Sequence, residues 1–232
     1  MFTLAIECAT KTIGLALLKE GDVHAELYLR LERHHAEVLL PTLDKLFTMA
    51  GLTLGCVDLL ACTIGPGSFT GLRIGVSTIK GLALATGKPV VGVSTLETLA
   101  MNAVPSPRLI CPMLDARKNQ VYAGLYRIGP DNLPAAVRPD TLTSAPTLLQ
   151  ELDEGEIVFL GDGALHHEQL IRETIKDRAI LCGSSQQRLM ASAVGLLGLR
   201  QYRSGAIMNT LTFTPTYLRL SEAEATYGKC SV

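Results

Sequence analysis

The chain has 232 residues, 47% of them apolar and 19% charged, and a formal net charge of -1. That balance excludes an extended disordered chain, and the length suits one large domain or two compact lobes. No Lys/Arg run or basic tail is present, which argues against a protein that grips nucleic acid unaided.

The first residues carry no basic leader, and Glu7 interrupts their apolar run, so neither a signal peptide nor a membrane span is expected. Residues 3–8 read as a buried strand, 9–12 as a polar turn, 13–18 as a second strand and 23–29 as a third. Two successive hairpins imply antiparallel pairing at the start of a mixed sheet. Residues 34–50 have helical spacing, with Val38, Leu39, Leu43, Leu46, Phe47 and Ala50 on one side. Pro41 is awkward there, so the helix bends or its regular part starts near it, and Gly51 stops it.

A strand at 57–63 leads through Gly65-Pro66-Gly67 into a helix that starts at Ser68 or Thr70 and ends at Thr86. Gly71, Gly75, Ser77 and Gly81 lower the propensity of that helix and permit another backbone to approach closely. A short strand at 90–93 precedes Ser94, which is placed to cap a helix over 96–103 with Glu97 completing a capping box. The Val104-Pro105-Ser106-Pro107 stretch marks a boundary, dividing the chain into lobes 1–104 and 105–232. Strands at 109–114 and 121–126 restart the pattern, and Tyr122, Gly124 and Tyr126 give the latter one aromatic face. Residues 129–144 read as irregular, 146–152 as a short helix and 157–160 as a strand ending in Gly161-Asp162-Gly163. Helices at 164–175 and 187–202 follow, then an extended tail over 211–219 that packs back on the first lobe, with loose final residues.

Several groups could carry chemistry. The run Gly65-Pro66-Gly67-Ser68-Phe69-Thr70-Gly71 joins a strand to a helix, which fits either an anion-binding loop or a tight turn that packs. No Gly-Lys-Ser/Thr follows it, and Pro66 lacks an amide donor. Glu7, Thr10 and Lys11 could hold magnesium water and phosphates, or Glu7 could simply accept bonds at the end of the first hairpin. The histidines are His24, His34, His35, His166 and His167, none at the i, i+4 spacing that aims two rings at one metal. A site joining His34 and His35 to His166 or His167 competes with a capping or interface role for His34. Asp115 and Arg117 read as a pair that orders a turn or contributes to binding. Ser68, Ser77 and Ser94 lie in no Gly-x-Ser-x-Gly elbow. The cysteines Cys8, Cys56, Cys62, Cys111, Cys182 and Cys230 form no Cys-x-x-Cys pair, which suits a reducing cytoplasm and not structural zinc.

These residues resemble the TsaB (YeaZ) family of the Kae1/TsaD/YeaZ group. The likeness runs through Leu4-Ala5-Ile6-Glu7-Cys8-Ala9-Thr10, His34 with Leu39 and Pro41, and Gly65 through Gly75. It continues in Lys80-Gly81-Leu82-Ala83, Gly92-Val93-Ser94-Thr95-Leu96, Asp115 through Tyr122, Gly161-Asp162-Gly163 and Pro215-Thr216-Tyr217-Leu218-Arg219. Glu7 and Cys8 depart from the Asp and Thr usual in the family.

The resemblance implies a duplicated actin-like ATPase (sugar-kinase/Hsp70/actin) α/β fold without an active site, a peptidase M22-like label, and a cytoplasmic location. It implies a non-catalytic subunit that pairs with a TsaD-like catalytic protein and helps recruit a TsaE-like ATPase. The complex transfers threonylcarbamoyl to adenosine 37 of tRNAs reading codons that start with A. ATP and metal belong to the partner proteins, tRNA is met through the complex, and the chain alone forms a homodimer. The implied partner surface comprises His34, Val38 and Leu39 on the first helix and Phe69, Leu72, Arg73, Gly75, Val76, Ile79 and Leu82 on the second. Glu7, Thr10 and Lys11 then mark a vestigial nucleotide cleft, with no catalytic or metal-binding residue. The alternative is a metallo-hydrolase or glycoprotease-like enzyme, or a nucleotide-dependent enzyme of the actin-like ATPase class.

Overall fold

The computed structural model describes residues 1–31, 34–152 and 155–219, and one topology occurs in it twice. In the first half β1 (Phe2–Glu7), β2 (Thr12–Lys19) and β3 (Asp22–Arg30) form an antiparallel meander. Two strands, β4 (Leu59–Gly65) and β5 (Val90–Ser94), add parallel to β1 in the order β3-β2-β1-β4-β5. Parallel neighbours need long crossovers, supplied here by α1 (His35–Ala50) and α2 (Phe69–Thr86). In the second half β6 (Leu109–Asp115), β7 (Gln120–Ile128), β8 (Pro134–Ser144), β9 (Ile157–Leu160) and β10 (Ala179–Leu181) repeat that order and those directions as β8-β7-β6-β9-β10. Its helices are α4 (Ala145–Gln150), α5 (Asp162–His166) and α6 (Glu168–Ile175).

The remaining two helices are exchanged between the sheets. Helix α3 (Thr95–Ala100) follows β5 but buries Leu96, Leu99 and Ala100 against Ile110, Tyr126, Val158 and Leu160 of the second sheet. Helix α7 (Ala191–Arg203) follows β10 but buries Val194 and Leu197 against Ala5, Ala16, Ala61, Val91 and Val93 of the first. Separating the halves would therefore expose two apolar layers at once. Polar ties cross the same region: Ser94 and Tyr126 both donate to Asp140, and Arg200 pairs with Glu97. Burial pushes the carboxyls of Asp140 and Glu97 upward.

The structure corrects several expectations. Residues 134–144, read as irregular, form β8, an edge strand whose Pro134, Pro139 and Asp140 and two register breaks hide the period-2 pattern. The helix expected over 164–175 is broken at His167 (φ -105°, ψ 19°). The three residues of β10 were not anticipated, and the last helix begins at Ala191 after a single turn at Ser184–Gln187. Ser94 does cap α3, accepting from the amides of Leu96 and Glu97, but the Glu97 carboxylate turns to Arg200 and no capping box closes. Pro41 sits inside a continuous α1, where it is exposed. The expected loose final residues and Cys230 lie outside the described residues. No described helix is long and apolar enough to cross a membrane.

Candidate functional site

The first candidate region lies at the C-terminal ends of the parallel strands, where open α/β sheets bind ligands. Glu7 ends β1 fully buried. Its carboxylate accepts the Ala9 amide on one oxygen and the Thr12 hydroxyl, at 2.9 Å, on the other. Burial pushes its pKa up to about 7 against these bonds. Thr10 is bonded to Thr12 at 2.8 Å, and Lys11 is exposed on the turn.

The Gly65–Ser68 loop closes against that same turn. The Gly65–Pro66 peptide is cis, and the Ser68 amide donates to Ala9 O at 2.7 Å. Ser68 caps α2 by accepting the Gly71 amide at 3.3 Å, and the Leu72 amide goes to Ser68 O at 2.9 Å. The Ser68, Gly71 and Leu72 amides are thus engaged within the chain. From the other half, the Asp115 amide donates to Asp162 at 2.9 Å. The Asp115 carboxylate accepts the Arg117 amide at 2.7 Å, so it orders the turn through backbone and not through the guanidinium. Arg117, Lys118 and Asn119 all have positive φ in that turn. Burial raises the Asp162 carboxyl, with Lys11 among the groups that oppose the shift.

Glu7 yields a pH prediction. The folded chain keeps its proton up to about pH 7, whereas the unfolded chain releases it near 4.5. The folded state holds more protons in that window, so stability is fully present below it and is lost as pH rises through it. The loss approaches about 3 kcal/mol at roughly 1.4 kcal/mol per pH unit. Glu7→Gln retains an acceptor for the Ala9 amide and removes the titration. Denaturant midpoints of the variant should fall less than those of the parent between about pH 5 and pH 7, the remaining fall coming from the raised carboxyls of Asp140, Glu97 and Asp162. A parallel fall in both would place the titration on another group.

The histidines do not converge. His34 ends in contact with Glu37 at 3.2 Å, His24 reaches Ala50 O at 3.5 Å, and the rings of His166 and His167 meet edge to face in the second half. Among the described residues no three His, Cys, Asp or Glu side chains are placed to hold a metal. Cys8, Cys62, Cys111 and Cys182 are buried thiols, and Cys56 is exposed.

The second candidate region is the outer surface of α1 and α2, which cover one face of the first sheet. Of the residues assigned to it from sequence, Leu39, Leu72, Gly75, Val76 and Ile79 are buried within the chain. Gly71 does admit another backbone closely, the chain's own Cys8 just past β1, whereas Gly75 packs on the side chains of Cys8 and Ile6. Val38, Phe69 and Leu82 are half-buried, while His34 and Arg73 are exposed. The outward stripe of α2 is Arg73, Ser77, Gly81 and Leu84, all exposed, at near-helical spacing. Sequence reasoning missed the exposed Leu84 (60%), Leu40 (56%) and Met49 (76%). The available signal was phase: each is an apolar side chain away from the buried stripe of its helix.

A family model described as tRNA N6-adenosine threonylcarbamoyltransferase (TsaD) matches residues 29–227. The tRNA threonylcarbamoyladenosine biosynthesis protein TsaB of Bacillus subtilis is 35% identical over 227 residues, 97% of each chain. The solved structure of YeaZ from Pseudomonas aeruginosa matches with a TM-score of 0.82 at 28% identity, covering 94% of this chain and 99% of that one. A ROK hexokinase from Thermus thermophilus, at 12% identity and a TM-score of 0.50 over 87% of this chain and all of that one, shares the fold alone. The repeated sheet order and these matches make the fold that of the actin-like ATPases, with two mixed-sheet halves. With near-complete overlap at 35% identity on one side and a shared backbone on the other, the chain belongs to the TsaB (YeaZ) family.

Proposed function

We propose that this chain is a non-catalytic partner subunit in tRNA threonylcarbamoyladenosine biosynthesis. In this reading it binds and orders a TsaD-like catalytic subunit through the outer face of α1 and α2, and helps recruit a TsaE-like ATPase. The observation that carries the proposal is the end-to-end similarity to TsaB of Bacillus subtilis. Two features of the chain support it. The strand-end loops are bonded to each other, leaving Glu7 sequestered from a substrate. The exposed Leu40, Met49 and Leu84 give α1 and α2 the apolar surface that a docking partner would bury. Alone, the chain would use that surface for a homodimer, and it would meet tRNA through the assembled complex. The group transferred is threonylcarbamoyl and the acceptor adenosine 37 of tRNAs reading codons that start with A.

Reconstitution tests the proposal. Cognate TsaD-like and TsaE-like proteins, the enzyme that makes the threonylcarbamoyl adenylate, and tRNA are combined with and without this chain. Product should form only when the chain is present, and the chain alone should show no transfer, ATPase or protease activity. Full product in its absence would overturn the assignment.

A further inference from the structure

We propose that the segment from Phe213 to Arg219 is a tether that links the two halves beside the ends of β4 and β6 and couples the start of α2 to the turn between β6 and β7. The segment has no regular secondary structure, yet it is anchored along its length. Upstream, the Met208 amide donates to Val90 O at 2.9 Å, and Lys80 Nζ donates to Leu211 O at 2.7 Å. Phe213 is buried in the core under α1 and α2. The Thr216 amide then donates to Ile64 O at 2.7 Å, and the Thr216 carbonyl oxygen occupies the space where a Cβ on Gly65 would sit.

Tyr217 makes the contact with α2. Its ring stacks on Phe69 at 4.6 Å with an interplanar angle of 29°, and its hydroxyl accepts Arg73 Nε–H at 3.1 Å. The Arg73 guanidinium lies 3.9 Å from the Phe69 ring centre. Two residues later the chain has crossed to the other half, where Arg219 donates to Ala116 O at 2.6 Å and to the Gln120 side chain. Those acceptors belong to the turn that Asp115 orders, and the Ala116 amide itself donates to Gln120 O at 2.9 Å.

Chain length turns these contacts into a constraint. Arg219 lies three positions beyond Thr216, and an extended chain spans at most about 3.5 Å per residue, or about 10 Å of backbone, to which the Arg219 side chain adds its own length. The ends of β4 and β6 can move apart only within that reach unless an anchor breaks. Thr214, Thr216 and Tyr217 of the tether are exposed. Exposed, irregular segments with few buried contacts are the parts of a fold that open first. Beyond Phe213, whose ring is held in the core, the tether is thus a releasable link.

Hydrogen exchange on the full-length chain tests the coupling. Arg219→Ala removes the anchor on the second half, and Tyr217→Ala removes the anchor on α2. Arg219→Ala should speed exchange about tenfold at the Ser68 and Leu72 amides of the first half, and Tyr217→Ala should do the same at the Ala116 and Gln120 amides of the second. Tyr217→Phe keeps the stacked ring and should give a smaller effect in the same direction. Unfolding midpoints confirm that the variants remain folded, and the conservative Tyr217→Phe carries the test where the alanine variant does not. Changes confined to the substituted half, or no change in either, would overturn the proposal.

Discussion

Leu84→Asp is expected to lower affinity for the proposed TsaD-like partner at least about 100-fold while the chain stays folded. Leu84 lies on the outward stripe of α2 and is 60% exposed, so the isolated chain loses little when it is changed. Surface substitutions away from caps and networks usually fall within about 0.5 kcal/mol. In a docked complex the same position would be desolvated, and a carboxylate there would be buried without a counter-charge. Such burial costs several kcal/mol, and about 3 kcal/mol already corresponds to a 100-fold loss of affinity. Isothermal titration against the partner and a thermal melt of the free chain separate the two effects. Unchanged affinity would move the docking surface off α2. Lost affinity with a collapsed melting transition would mean that Leu84 supports the fold.

The second large effect concerns Gly71, and it runs opposite to Gly81 on the same helix. A Cβ on Gly71 would fall on the Cys8 carbonyl oxygen, inside any van der Waals separation. Backbone at the end of β1 cannot yield, because the adjacent Ala9 amide and carbonyl are engaged by Glu7 and Ser68. Gly71→Ala should therefore cost about 3 kcal/mol or more, a melting temperature lower by roughly 6–12 °C for a chain of this size. A Cβ on Gly81 meets nothing within 4 Å. Gly81→Ala should raise stability by up to about 1 kcal/mol through helix propensity alone. Paired melts of the two variants check this, and similar shifts for both would show that α2 does not sit against β1 as described.

The same contrast shows what could be read from residues alone. The spacing of small residues on α2 correctly implied a close backbone approach, but not to what. Gly71 and Gly75 serve the chain's own β1, and only Gly81 stays open to solvent. Likewise Leu72, Val76 and Ile79 have the periodicity of a buried stripe, and they are buried on the chain's own sheet. Apolar periodicity marks a face that needs cover, and it is silent on whether the cover comes from within or from outside.

Local chemistry was legible wherever neighbouring residues decide the outcome. The two opening hairpins, the glycine stop after α1, the Ser94 cap and the restart of the pattern after Pro107 all depend on propensity, capping and turn residues within a few positions. The family resemblance belongs here too, since it rests on contiguous motifs that run almost the length of the chain. Tertiary structure decided the rest. Edge strand β8 holds its place by pairing with β7 despite prolines and register breaks. Glu97 forsakes a capping box for Arg200, a residue 103 positions away. Helices α3 and α7 cover each other's sheets, and the tail bridges the two halves through Tyr217 and Arg219. A sequence sets which faces are apolar and which ends are capped, because those follow from short-range sterics and hydrogen bonding. Which face meets which is settled by burial summed over segments far apart in the chain, and that sum exists only once the two halves have come together.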